Sequence, residues 1–499
     1  MTETPLPKGQ LVCSILLQIS EALNVNVLFP FLPFMVEHVG KGGPNLGTYC
    51  GILAATFCFG QLLSSLVWAK LADIFGRKTT LIWGTIGTGV GMLVFGMSET
   101  YEHAIAGRLL SGALCGNLLV LKTFLAEITD ETNRGAGFSI LAIAWSMGTV
   151  VAPLIGGMLS EPSRRYPDIF PEEGLFGRYP YLLPCLLCVI YNFVSAMVVA
   201  CIMVESRIGS FWGGESGLNR PTSYGKLATA EETEMVNLDT ACEEEQDEQQ
   251  VQQVQENELT EDLPDESGNL LWRPHVVAAT GNYGIVCFAT VILDETFPLF
   301  LKLDEGEGGF SYRSHDIGLV LSISGILMFF FTVTFLPKLA NGDKPQLFRM
   351  GGLFTVPTCF LYPLGTIIVR AIGGGASIEE LSITSYAYLI TVKFVQSVAV
   401  CLCFTAVVVQ VNESVAEREL ADVNAMGQMF ASLARCVGPG VGGLLWSLSV
   451  NADFIVANFL VTAVLLVGAM ALNHFVVAKF PKRPSSKKLQ KLVKRPDEP

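Results

Sequence analysis

A handful of ionisable and amide side chains stand inside long apolar stretches of this 499-residue chain. They are Glu21, Asn24, Asn26, Arg108, Asp294, Glu295, Lys393, Gln396 and Arg435. Such groups are costly in an apolar setting and therefore mark function first. The chemistry open to them is proton exchange and solute binding. Burial disfavours an ionised carboxyl and a nearby arginine favours it, so surroundings that alternate between water and protein can cycle its proton. Of the three candidate carboxylates Glu21 lies deepest in its stretch, with Asn24 nearly on the same stripe and Asn26 off it. Arg108 is the expected positive partner of Glu21. Asp294 and Glu295 precede Thr296 and Pro298 near the end of another stretch, as rim carboxylates or as a second coupling pair. Lys393 and Gln396, three apart, can face one cavity. Lys122 lies near the end of its stretch, where snorkelling competes with function. Arg435 precedes the Gly438-Pro439 pair by three residues and can pair with a carboxylate.

Other chemistries find little support. There is no phosphate-cradling glycine loop, no His/Cys/Asp cluster with metal spacing, no nucleophile–base pair and no nucleic-acid feature. Cys185-x-x-Cys188 has no second pair or histidine beside it, so the 13 cysteines are expected to be buried thiols. No enzyme activity, cofactor or metal is expected.

The elements that hold these groups are membrane spans. The chain is 51% hydrophobic and 16% charged, against about 25% charged in soluble proteins. Apolar runs close to 20 residues long suit a bilayer. Spans are expected near 11–36, 48–69, 79–97, 103–125, 135–159 and 180–204, and again near 275–300, 315–336, 347–370, 384–410, 425–448 and 453–477. Between the sets, residues 205–272 carry 17 Asp and Glu against three Lys and Arg, and so hold the whole net charge of −14. Low apolar content and high charge predict a disordered tether there. The predicted domains are thus 1–204, a first six-helix bundle; 205–272, the acidic linker; 273–478, a second bundle; and 479–499, a basic tail.

Basic residues favour the cytoplasmic face. Lys70, Arg77, Lys78 and eight Lys/Arg from Lys479 to Arg495 place both termini there, although Arg164, Arg165 and Arg178 lie in a loop on the other side. The halves look duplicated. Gly148, Pro153, Gly156 and Gly157 have a counterpart in Gly438-Pro439 and Gly442-Gly443, and the stretch 337–344 resembles a decayed copy of 69–78. Glycine and proline inside these helices permit close approach and bending. Phe29-Pro30-Phe31-Leu32-Pro33-Phe34 joins aromatics to two kinks, able to line a cavity mouth or simply to pack.

Between the second and third spans runs Trp68-Ala69-Lys70-Leu71-Ala72-Asp73-Ile74-Phe75-Gly76-Arg77-Lys78. It resembles the loop of major facilitator transporters, Gly-x-Leu-Ala-Asp-Arg-x-Gly-Arg-Lys, departing from it at Ala69 and Ile74. The resemblance implies an all-α membrane protein with twelve transmembrane helices in two pseudo-symmetric six-helix bundles, the major facilitator fold. It also implies a cytoplasmic gate at Asp73, Gly76, Arg77 and Lys78. The span-five glycines resemble a motif associated with antiporters, and Arg108-x3-Gly112-x3-Gly116 a span-four pattern linked to proton transfer.

Further stretches resemble the zinc-induced-facilitator-like group and its fungal relatives among the drug:proton antiporters. They are 28–35, 166–170, 175–184, 309–312, 317–325, 424–427 and 435–439, and 175–184 is the most specific. Proton-coupled antiport of a small organic solute by alternating access is the activity this implies, at the plasma membrane or a vacuolar, lysosome-like membrane. Symport, uniport and a non-transporting receptor are the rivals. The partners expected are the solute, protons and the bilayer, with the chain working as a monomer.

Overall fold

The computed structural model describes residues 7–129, 133–206, 273–339, 344–373, 382–415 and 419–475. The acidic linker beyond Ser206, the basic tail and residues 340–343 of the 337–344 stretch lie outside the described residues.

The first half is built from span one, Lys8–Asn26 continued by Leu32–His38, span two, Leu46–Phe75, and span three, Arg77–Gly96. Span four is Tyr101–Ala113 continued by Asn117–Ile128, span five Arg134–Leu159 and span six Leu182–Ile202. The second half repeats the plan with Pro274–Lys302, Ser314–Thr334, Lys344–Ile372, Ser382–Glu413, Leu420–Asn451 and Val456–Phe475, spans seven to twelve.

Among the described residues, eleven helices are long and apolar enough to cross a membrane. Span one is the twelfth and more polar, because Gln10, Ser14, Gln18, Ser20, Glu21 and Asn24 face the protein interior instead of lipid. A helix shielded by its neighbours does not need an apolar surface all round.

Two spans expected to be continuous are broken. Span one loses its helix between residues 27 and 31. Pro30 there lacks an N–H, and its ring would clash with the Asn26 carbonyl one turn back. Phe29 N–H bonds that carbonyl instead, at 3.4 Å. Span four stops at Ala113 and restarts at Asn117. Trp68 of span two lies across the gap and donates its indole N–H to the freed Ala113 carbonyl at 2.9 Å. Gly116 makes room for that ring, since a Cβ there would stand 2.3 Å from it.

The duplication shows in the packing. Gly148 and Gly156 of span five meet Ala22 and Val27 of span one, and Gly157 meets Gly318 of span eight. Equivalently, Gly438 and Gly442 of span eleven meet Val291 and Ile292 of span seven, and Gly443 meets Gly47 of span two. Spans two and eleven, and five and eight, therefore form the seam between the halves. Pro153 and Pro439 sit inside their helices, and their carbonyls face Gly318 and Gly51 across that seam.

The end of the bundle that carries Lys8 and the 69–78 loop is here called the motif end. The seam contacts above run from mid-bundle to the opposite, far end. There Thr48 N–H donates to Ser447 Oγ at 2.9 Å, and the Ser160 and Ser314 hydroxyls meet at 2.7 Å. Phe31, fully buried, stacks on Tyr181 at 5.4 Å. The 28–35 and 175–184 stretches thus pack on one another, and Phe31 serves packing.

Candidate transport site

The polar groups of the first half split into two clusters. Glu21 is 3% exposed, and its Oε1 accepts from Gln61 Nε2 of span two at 3.0 Å. Its Oε2 has no hydrogen-bond partner. Lys122 of span four and Arg435 of span eleven are the cations whose fields reach it. Asn24 turns the other way, to span six: its Nδ2 bonds Asn192 Oδ1 at 3.1 Å, and Asn192 Nδ2 returns a bond to Asn24 Oδ1 at 3.2 Å. Ser20 Oγ also donates to Asn192 Oδ1. Asn26 spends its amide on the Ala22 carbonyl of its own helix. One stripe of span one therefore serves two neighbours.

Arg108 does not pair with Glu21. It is fully buried, its Nη1 donates to the Asn24 carbonyl at 3.1 Å, and its guanidinium lies over Phe57 and Phe95 at 4.7 and 5.4 Å. The Asn24 carbonyl and the two ring faces compensate part of the charge. Its Nε has no hydrogen-bond partner. The carboxylate whose field reaches it is Glu295, in the other half.

Asp294 and Glu295, adjacent in sequence, have different surroundings. Asp294 has a half-exposed side chain whose Oδ1 takes a 3.0 Å ion pair from Lys393 Nζ of span ten, which also lies over the Phe297 ring at 4.8 Å. Glu295 is 3% exposed, and neither of its oxygens has a hydrogen-bond partner. It is no rim carboxylate: it lies within electrostatic reach of Cys50 of span two and Arg108 of span four, in the other half. Lys393 and Gln396 meet the same pair of aromatics, for the Phe297 ring under Lys393 packs on Tyr362 at 5.2 Å. Gln396 Oε1 accepts from Tyr362 of span nine inside the second half. Arg435 is exposed and donates to Ser432 of its own helix, with no carboxylate of the described residues within ion-pair distance.

At the motif end the 69–78 loop is a network. Arg77, buried, donates Nη1 to Asp73 Oδ1 at 2.8 Å, and Nε and Nη2 to Glu127 Oε1 of span four at 3.2 and 3.1 Å. Glu205 caps span three, with Oε1 accepting from Arg77 N–H at 2.7 Å and Oε2 from Lys78 N–H at 3.0 Å. A carboxylate at the first free N–H groups of a helix satisfies them and favours its dipole. Ser206 Oγ donates to Glu127 Oε2. Gly76, at φ 91°, makes the corner between spans two and three where a side chain would be strained. Glu127, Glu205 and Gln61 escaped sequence reasoning. Each is visible as a polar residue at or inside an apolar run, but its partner lies on another span.

Comparison with known proteins places the chain. Residues 14–378 match the model of the Major Facilitator Superfamily. Protein ZINC INDUCED FACILITATOR 1 of Arabidopsis thaliana is 28% identical over 454 residues, covering 90% of this chain and 86% of that protein. The multidrug transporter mfsB of Aspergillus fumigatus is 24% identical, covering 96% and 85%. Among solved structures, a bacterial homologue of the human lysosomal transporter Spinster, inward-facing and unoccupied, superposes with TM-score 0.61 at 14% identity, covering 96% of this chain and 98% of that one. That likeness is one of fold, and it agrees with the two six-helix halves and their seam. The chain is a transporter of the Major Facilitator Superfamily.

Proposed function

We propose that the protein is a proton-coupled antiporter of a small organic solute, working by alternating access to export the solute or sequester it in a compartment. The observation that carries this is Glu295, a buried carboxyl at the seam with no hydrogen-bond donor on either oxygen. Burying an ionised carboxylate unpaired costs several kcal/mol, so a carboxyl so placed exchanges its proton when the seam opens to water and closes again. Glu21 is the second proton-exchanging group, steadied by Gln61. The neutral-or-charged state of these groups sets how well the space between the halves accepts solute, which is what couples the two flows. The name of the Aspergillus fumigatus relative, a multidrug transporter, favours a small organic solute. In this reading both termini lie on the cytoplasmic side of the plasma membrane or of a vacuolar, lysosome-like membrane, and the monomer is the working unit.

The test is transport in sealed vesicles with an imposed pH gradient, against a panel of solutes. Wild type is expected to accumulate solute opposite to proton flow. Glu295→Gln is expected to abolish that accumulation while exchange down the solute's own gradient survives, and Glu21→Gln to weaken it. Solute moving with the protons, or indifferent to them, overturns antiport. Normal accumulation by both variants removes these carboxylates from coupling.

A further inference from the structure

Resting on the alternating-access reading, we infer that Glu37 and Lys302 form the breakable lock of the far end. Glu37 ends the outer segment of span one and Lys302 ends span seven, so the pair joins the two halves. The ammonium of Lys302 meets the Glu37 carboxylate and lies over the Phe34 ring at 5.4 Å. Among the described residues the other far-end ion pairs stay within one half: Lys41–Glu102, Arg178–Glu99 and Arg164–Glu161 in the first, Arg370–Glu305 and His315–Asp316 in the second. They can persist through a rocking motion, whereas Lys302–Glu37 cannot.

Its neighbours at the seam are of a different kind. Gly47 on Gly443 and Gly157 on Gly318 are backbone contacts, and Ser160 with Ser314 and Thr48 with Ser447 are neutral hydrogen bonds. These set how closely the halves approach. The ion pair adds a contact that depends on charge and is partly open to water, with Lys302 17% and Glu37 42% exposed. Such a pair is of modest strength and screened by salt, which suits a lock that must open in every cycle.

The native thiol of Cys50 reports the state of this end. It is fully buried, next to Gly51, whose Cβ would stand 2.1 Å from the Pro439 carbonyl oxygen across the seam. The experiment uses the full chain in lipid nanodiscs, a membrane-impermeant maleimide, and peptide mass spectrometry to read Cys50 labelling. Glu37→Gln and Lys302→Gln are each expected to raise the labelling rate roughly 1.5- to fivefold, the range for losing a partly exposed ion pair. The doubly neutral variant should label no faster than either single one. The charge swap, Glu37→Lys with Lys302→Glu, should return the rate most of the way to wild type. Wild-type rates in both single variants, or a swap as fast as they are, would overturn the lock. Cys50 unlabelled in every variant would mean that the far end never opens, and alternating access would fall before the lock did.

Discussion

Gly443→Ala tests whether the seam sets the balance between the two open states. A methyl at Gly443 would stand 2.0 Å from the Gly47 carbonyl oxygen, 2.8 Å from its carbonyl carbon and 3.0 Å from the Gly51 Cα. Carbon contacts settle near ~3.5 Å, so spans two and eleven must part by roughly 1 Å or more at the far end. Both neighbours are backbone, which cannot turn aside as a side chain would. Overpacking of this kind costs about 1–3 kcal/mol, and only in the far-closed state, because the methyl faces open space once the halves separate. A difference of that size moves the equilibrium toward the far-open state by about 5- to 150-fold. Cys50 labelling in nanodiscs is expected to rise accordingly, and turnover to fall because the far-closed state becomes scarce. Gly440→Ala is the control: it lies on the same helix, and a Cβ there meets nothing within 4 Å. Equal labelling of the two variants would refute the reasoning.

Three further outcomes are expected. Glu127→Gln should impair transport more than Asp73→Asn, because Glu127 takes two of Arg77's three side-chain bonds and Asp73 only one, from a largely exposed position; both variants should insert normally, and the reverse order in vesicle uptake would count against Arg77 as the centre of the gate. Glu205→Ala removes the acceptor of the first two N–H groups of span three and should cost about 1 kcal/mol, read as a lower thermal-shift midpoint with reduced transport. Deleting residues 228–262 should leave transport within a few-fold as long as the remainder spans the halves, and loss of activity with normal insertion would show the segment to be more than a tether.

Much of the architecture was legible in the chain because membrane burial writes itself locally. An apolar run of about one bilayer thickness is a span whatever surrounds it, and the repeated Gly-Pro patterns of spans five and eleven announced the two halves. Span one is the exception: it carries Glu21, Asn24 and four further buried polar residues, which its neighbours shield from lipid. The loop at 69–78 was readable in the same way, as charges that could not lie inside the bilayer.

Partnership was not legible, because it depends on rotation about each helix axis and on which spans become neighbours. Glu21 and Asn24 sit one turn apart, yet one bonds Gln61 and the other Asn192. Asp294 and Glu295 are consecutive, yet about 100° of helical rotation gives the first to Lys393 and leaves the second buried without a donor. Arg108 went to the Asn24 carbonyl and two phenyl rings instead of to Glu21, and Glu205 turned back to cap span three. The sequence by itself determined where polar groups enter an apolar interior and how many spans carry them. The tertiary structure alone decided which of them meet, because an unpaired charge in that interior is stabilised or stranded by side chains many spans away.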